Sequence, residues 1–189
     1  MLEARKEAGL NYPFPARRSY YADITYILPV TPESDFPCAV PPNIVCCGPI
    51  ILPSAPLSAI DPELDSWLEK SPTVLVNLSS FLQPSQKHAQ ELATGIGLIL
   101  GHNHQVQVLW KLKTDNDRVF ESATKILSEH IQTGRVRLEK WLKAPPSEIV
   151  KRVICSVHHG GASSYFEAMG YVLLLIEFKT STTFLFSRG

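Results

Sequence analysis

From residue 73 onward, short apolar runs recur along the chain: Thr73 to Leu78, Val106 to Lys111, Val136 to Leu138, Val153 to His158 and Val172 to Ile176. Longer mixed stretches separate them, at 85–100, 118–133, 146–151 and 164–169. Runs of three to six mostly apolar residues read as strands, and the stretches between them as helices. Strands alternating with helices predict an α/β fold built on a doubly wound parallel sheet. The nearly unbroken apolar run at 73–78 suits a central strand covered on both faces. Just before it, Asp61 or Asp65 is placed to cap a short helix carrying Trp67 and Leu68.

The first third of the chain reads differently. Ile24 to Leu28 and Asn43 to Cys47 are short strands, with a proline-rich segment at 31–42 between them. Residues 53–62, dominated by Pro, Ser and Ala, have the composition of a linker and mark a domain boundary. Gly95, Gly97 and Gly101 precede a strand rather than follow one, the wrong order for a dinucleotide-binding fingerprint.

Ligands of doubly wound sheets bind at the carboxyl ends of the strands. The stretch V-I-C-S-V-H-H-G-G-A-S-S-Y-F-E, residues 153–167, is a strand, a two-glycine turn and a helix start. Backbone N–H groups at such a helix mouth form a site for phosphate, and Gly160 and Gly161 permit close approach of a ligand. A plain strand–turn–helix connection, with Ser164 and Glu167 forming a capping box, accounts for the same residues without a ligand. Ser79-Ser80, Trp141 and the segment from His159 to Ser164 all fall at predicted carboxyl ends, which favours the ligand reading.

Composition narrows the partners. The 189 residues carry 18 basic and 18 acidic side chains, so no global field draws the chain to nucleic acid or to a membrane surface. The four cysteines, Cys38, Cys46, Cys47 and Cys155, form neither a disulfide framework nor a zinc pattern. Cys155 and His159 would lie about 13 Å apart along a strand, too far for one metal ion. No apolar run is long enough for a bilayer span, and the N-terminus lacks the apolar core of a signal peptide, so a cytoplasmic chain is expected. The strands near Ile24 and Ile44 are expected to lack neighbours and to promote self-association.

Trp141-Leu142-Lys143-Ala144-Pro145, then His159-Gly160-Gly161-Ala162-Ser163-Ser164, Glu167 and Gly170, resembles the donor signature of the UDP-dependent glycosyltransferases of family 1. Upstream, T-V-L-V-N-L-S-S resembles the first strand of that family's nucleotide domain, and N-I-V-C-C-G-P-I the segment before its interdomain linker. The similarity runs from about residue 20 to residue 178 and looks most like fungal members.

The resemblance implies the C-terminal, Rossmann-like half of a GT-B fold, incomplete at both ends. It implies the last part of an acceptor domain at 1–52, a linker at 53–62, a UDP-sugar domain at 63–178 and a divergent tail at 179–189. The implied reaction is hexosyl transfer from a UDP-sugar, with UDP-glucose the expected donor, to a hydroxyl of a small molecule. Trp141 would stack on the uracil, with Leu142 beside it; read alone, Trp141 is better taken as a packing tryptophan. His159, Gly160, Gly161, Ser163, Ser164 and Ser80 would surround the phosphates, and Glu167 would accept the ribose hydroxyls. No metal and no cofactor beyond the donor is expected.

Departures from the family pattern stand beside the match. Ser163 replaces the usual Asn, Ser79 a Gly, Ala144 the Gln that reads the uracil edge, and Val172 a Pro. The acidic residue and Gln that hold the sugar are absent, as is a histidine base. His88, His102, His104 and His130 read as surface residues. The chain is therefore expected to be a truncated member, inactive alone. It would be either a nucleotide-sugar-binding fragment or the donor subunit of a split enzyme needing a partner chain.

Overall fold

The computed structural model describes residues 6–7, 9, 24–32, 39–78, 83–169 and 174–177. The chain divides into two compact units, Met1–Ile50 and Ile51–Gly189. In the first, β1 (Tyr26–Leu28) and β2 (Ile44–Cys46) pair in parallel, Tyr26 opposite Ile44. The Asn43 side-chain amide donates to Ile24 O at 3.1 Å and secures the start of the pair. These two strands, expected to lack neighbours, satisfy each other instead.

The second unit holds a five-stranded, all-parallel sheet in the order β5-β4-β3-β6-β7. Its strands are β3 (Thr73–Asn77), β4 (Gln107–Lys111), β5 (Val136–Glu139), β6 (Cys155–His158) and β7 (Leu174–Glu177). The order reverses between β3 and β6, which makes this junction the topological switch point of a doubly wound fold.

Helices cover both faces. The residues expected to be a linker contain α1 (Leu57–Ile60), whose Leu57 is buried. Next comes α2 (Pro62–Leu68), started by Pro62 and capped by Asp61, whose carboxylate accepts from Leu64 N at 3.1 Å. Asp65, the other candidate cap, instead accepts from Arg152 Nη2 at 2.7 Å. Long helix α3 (Gln86–His102) presents Ala89, Ala93, Ile96 and Leu100 at helical spacing to the sheet, and the three glycines of the weighed fingerprint lie inside or near its end.

The helix expected at 118–133 is split into α4 (Asp117–Ile126) and α5 (Ser128–Gln132). At the break, Leu127 N donates back to both Ala123 O and Lys125 O while its side chain is fully buried. α6 (Pro146–Ile149) and a turn of 3-10 helix at Val150–Arg152 lead into β6, and α7 (Ala162–Met169) follows it.

Strand alternation sends Val76, Val108, Trp110, Val136 and Val157 to one apolar cluster with α3 and α4. It sends Leu75 and Leu109 to a second cluster with Leu57, Leu64, Trp67 and Ile149 on the other face. Two covered faces explain why the strands read as continuous apolar runs.

Candidate functional site

The carboxyl ends of the strands carry a polar row on the face of the second cluster. Asn77, the last residue of β3, lies opposite Lys111 of β4, and Lys111 opposite Glu139 of β5. Leu75 pairs with Ser156, so His158 of β6 is the same-face neighbour of Asn77 on its other side. Asn77, Lys111 and His158 are all buried, at 7%, 5% and 1% exposure. Three polar side chains at one buried edge are unusual for a core and typical of a site.

The turn after β6 is built by two glycines with separate jobs. Gly160 has φ +78° and donates its N–H to His158 Nδ1 at 3.0 Å. A neutral His158 ring then carries its proton on Nε2. At Gly161 a Cβ would lie 2.7 Å from His159 Nε2 and 2.9 Å from Cε1. The His159 ring is therefore laid over Gly161, against the mouth of α7, where no side chain other than hydrogen fits. Asn77 Oδ1 and His159 Nδ1 are buried and meet no hydrogen-bond partner among the described residues.

α7 begins at Ala162, two residues before the expected start, and Tyr165 N donates to Gly161 O at 3.0 Å. Gly161 is thus the cap, and Ser164 and Glu167 lie within the helix. The capping box considered for them does not form. Ser163 is exposed, Ser164 and Glu167 are half-buried, and burial holds the Glu167 carboxyl above its usual range. Ser80, like Ser79, Gly170 and Val172, lies outside the described residues.

On the far side of the row, Trp141 follows β5. It is 60% exposed, whereas Trp67 and Trp110 are 7% and 1% exposed. The packing role open to any tryptophan belongs to those two: Trp110 fills the first cluster, and Trp67 Nε1 donates to Gly134 O at 2.8 Å. Lys111 Nζ lies 4.2 Å from the Trp141 ring centroid. Beside the indole opens a shallow pocket of about 120 Å³, reached by Asp61, Arg137, Glu139 and Lys143 and floored by Leu64 and Leu142. The Leu142 side chain belongs to the apolar core, so only its backbone is left to face a ligand. Trp141 and His159 flank strands three places apart in the sheet, about 14 Å at the usual strand spacing.

Reading the residues alone missed Asn77 and Lys111. Both sit in strand-like runs, and only strand register brings them together at one edge. Among the described residues, no cluster of three or more His, Cys, Asp or Glu is arranged to hold a metal ion, and no helix is long and apolar enough to cross a membrane.

No family model matches the chain. The glycosyltransferase sdnJ of Sordaria araneosa is 45% identical to it over 173 residues, 88% of this chain. In sequence the chain is a relative of the glycosyltransferases. It spans 34% of the length of that fungal glycosyltransferase. Among solved structures, a UDP-glucosyltransferase of Polygonum tinctorium superposes with a TM-score of 0.56 at 24% identity, covering 72% of this chain and 29% of its own. A Listeria monocytogenes protein named as a UDP-N-acetylglucosamine 2-epimerase superposes at 0.51 with 16% identity, covering 61% and 29%. These structural likenesses establish the GT-B-type, Rossmann-like fold of this glycosyltransferase relative. They do not choose between the two chemistries.

Proposed function

We propose that this chain is the donor-nucleotide side of a glycosyltransferase that moves a hexose from a UDP-sugar to a small-molecule hydroxyl. One observation carries the reading: an exposed indole and a glycine-built helix mouth stand at opposite sides of the switch point, spaced like the two ends of a nucleoside diphosphate. The relatives' names point the same way, since both structural neighbours are named for UDP-hexose chemistry. UDP-glucose is the donor we favour.

In this reading Trp141 stacks on the uracil and the Leu142 backbone borders it. The diphosphate lies against the α7 mouth, where Gly161 N–H, the Ser163 and Ser164 hydroxyls and the His159 ring donate to it. Ser80 would approach the phosphates from the β3 side. Glu167, on the next turn of α7, accepts from the ribose diol. The acceptor oxygen attacks the anomeric carbon, the bond from that carbon to the diphosphate oxygen breaks, and UDP leaves with the electron pair. The helix mouth stabilises the charge that gathers on the departing diphosphate. The acceptor proton goes to a base on the acceptor side, supplied by a longer polypeptide or by a partner chain. Helix mouth and histidine balance the diphosphate without a metal ion.

Titration calorimetry of the folded chain with UDP is the test. Binding that Trp141→Ala weakens about tenfold, roughly one stacked base, supports the reading. No heat at millimolar UDP in a folded sample overturns it.

A further inference from the structure

Trp141 is an exposed side chain, and an exposed indole samples several rotamers unless something holds it. Lys111 supplies the hold. Its stem rises from the last position of β4, one strand in from the edge strand that Trp141 follows. The residue is 5% exposed, while Trp141 is 60% exposed, and the ammonium sits 4.2 Å from the ring centroid. A buried charge therefore sits against one face of a largely exposed ring. An ammonium over an indole face is an attractive contact that strengthens as water is excluded. Burial and the nearby Lys113 charge both disfavour the protonated amine.

We propose that Lys111 is a positioning residue, pinning the Trp141 ring by one face so that the nucleotide base stacks on the other. The inference rests on the nucleotide-binding reading above. It places no contact between Lys111 and the ligand; the lysine acts through the indole, by removing ring freedom before the ligand arrives.

The test is a double-mutant cycle read by UDP titration on the full chain, with thermal unfolding as a check on folding. Lys111→Met keeps the stem and removes a buried charge, so the fold should persist. The expected result is that K111M weakens UDP binding about fivefold, the size of one partly buried cation–ring contact. Lys111→Arg should restore binding to within about twofold, because a guanidinium over an indole face makes the same kind of attractive contact. In a Trp141→Leu background K111M should have no further effect. Unchanged binding in K111M, or an equal loss in both backgrounds, overturns the inference while leaving the nucleotide reading intact. Absence of UDP binding by the unaltered folded chain overturns the nucleotide reading and this inference with it.

Discussion

The two edges of the sheet bury similar polar groups and treat them in opposite ways. At the amino edge, Gln107 Nε2 donates to Trp67 O at 2.9 Å and to Thr73 Oγ1 at 2.8 Å, and Thr73 Oγ1 donates on to Ser71 O. Arg135 closes the end of α3 and the approach to β4, donating to Leu100 O at 3.1 Å, Asn103 O at 2.6 Å and Val106 O at 2.9 Å. That network completes itself within the chain. At the carboxyl edge, Asn77 Oδ1 and His159 Nδ1 are buried without partners among the described residues, and Glu167 and Lys111 are held in environments that disfavour their charges. A buried polar atom without a partner costs about 1–3 kcal/mol. On the proposed reading, a bound nucleotide meets the unpaired atoms of the carboxyl edge.

The comparison breaks most visibly at Arg135. Replacing it with Ala strips three carbonyls of their charged donor and should lower stability by about 3 kcal/mol, read from the urea midpoint. UDP affinity of the protein that remains folded should stay within about twofold. A loss of affinity instead would mean that the amino edge serves the ligand site.

The same kind of substitution should act with opposite sign at the two edges. Gln107→Leu leaves the Trp67 carbonyl and the Thr73 hydroxyl short of a donor and should destabilise by about 2 kcal/mol. Asn77→Leu removes an orphaned acceptor from the same face of the sheet and should leave stability unchanged or raise it by about 1 kcal/mol, while weakening UDP binding. Thermal unfolding and titration of the two variants side by side decide this. Destabilisation by both would erase the distinction between the edges.

Gly161→Ala sharpens the comparison without touching the core. The new methyl displaces the His159 ring, whose buried Nδ1 holds no hydrogen bond among the described residues, so stability should fall by no more than about 1 kcal/mol. UDP affinity should fall about tenfold, near 1.4 kcal/mol, because both the ring and the close approach to the helix mouth are lost.

The smallest effect is a pH dependence from Glu167. Its folded pKa is raised above the ordinary 4.5 by burial, so the folded chain holds that proton more tightly than the unfolded one. Its contribution is most favourable below the unfolded value and declines as pH rises through the folded one. Nucleotide binding should run the other way, since a ribose diol donates to the ionised carboxylate. UDP affinity should therefore rise several-fold from about pH 4 to pH 7, and Glu167→Gln should flatten the profile.

Much of this was legible in residue order. Periodicity placed the β3–α3–β4 series and the later strands within a residue or two, because covered parallel strands must be apolar throughout. The histidine, the paired glycines and the serines announced the helix mouth through their spacing. Other features were not local. Whether Trp141 packs or is displayed depends on which of three indoles the core has room for. The start of α7 at Ala162 dissolved the capping box expected of Ser164 and Glu167.

The amino-acid order by itself determined the class of fold and the strand, glycine turn and helix start on which the proposed phosphate site rests. These follow from side-chain period and from glycine's backbone freedom, both properties of neighbours in sequence. Only the tertiary structure decided that Asn77, Lys111 and His158 form one buried row, and that a lysine holds the indole from beneath. Register between strands tens of residues apart sets those meetings, and no local pattern encodes it.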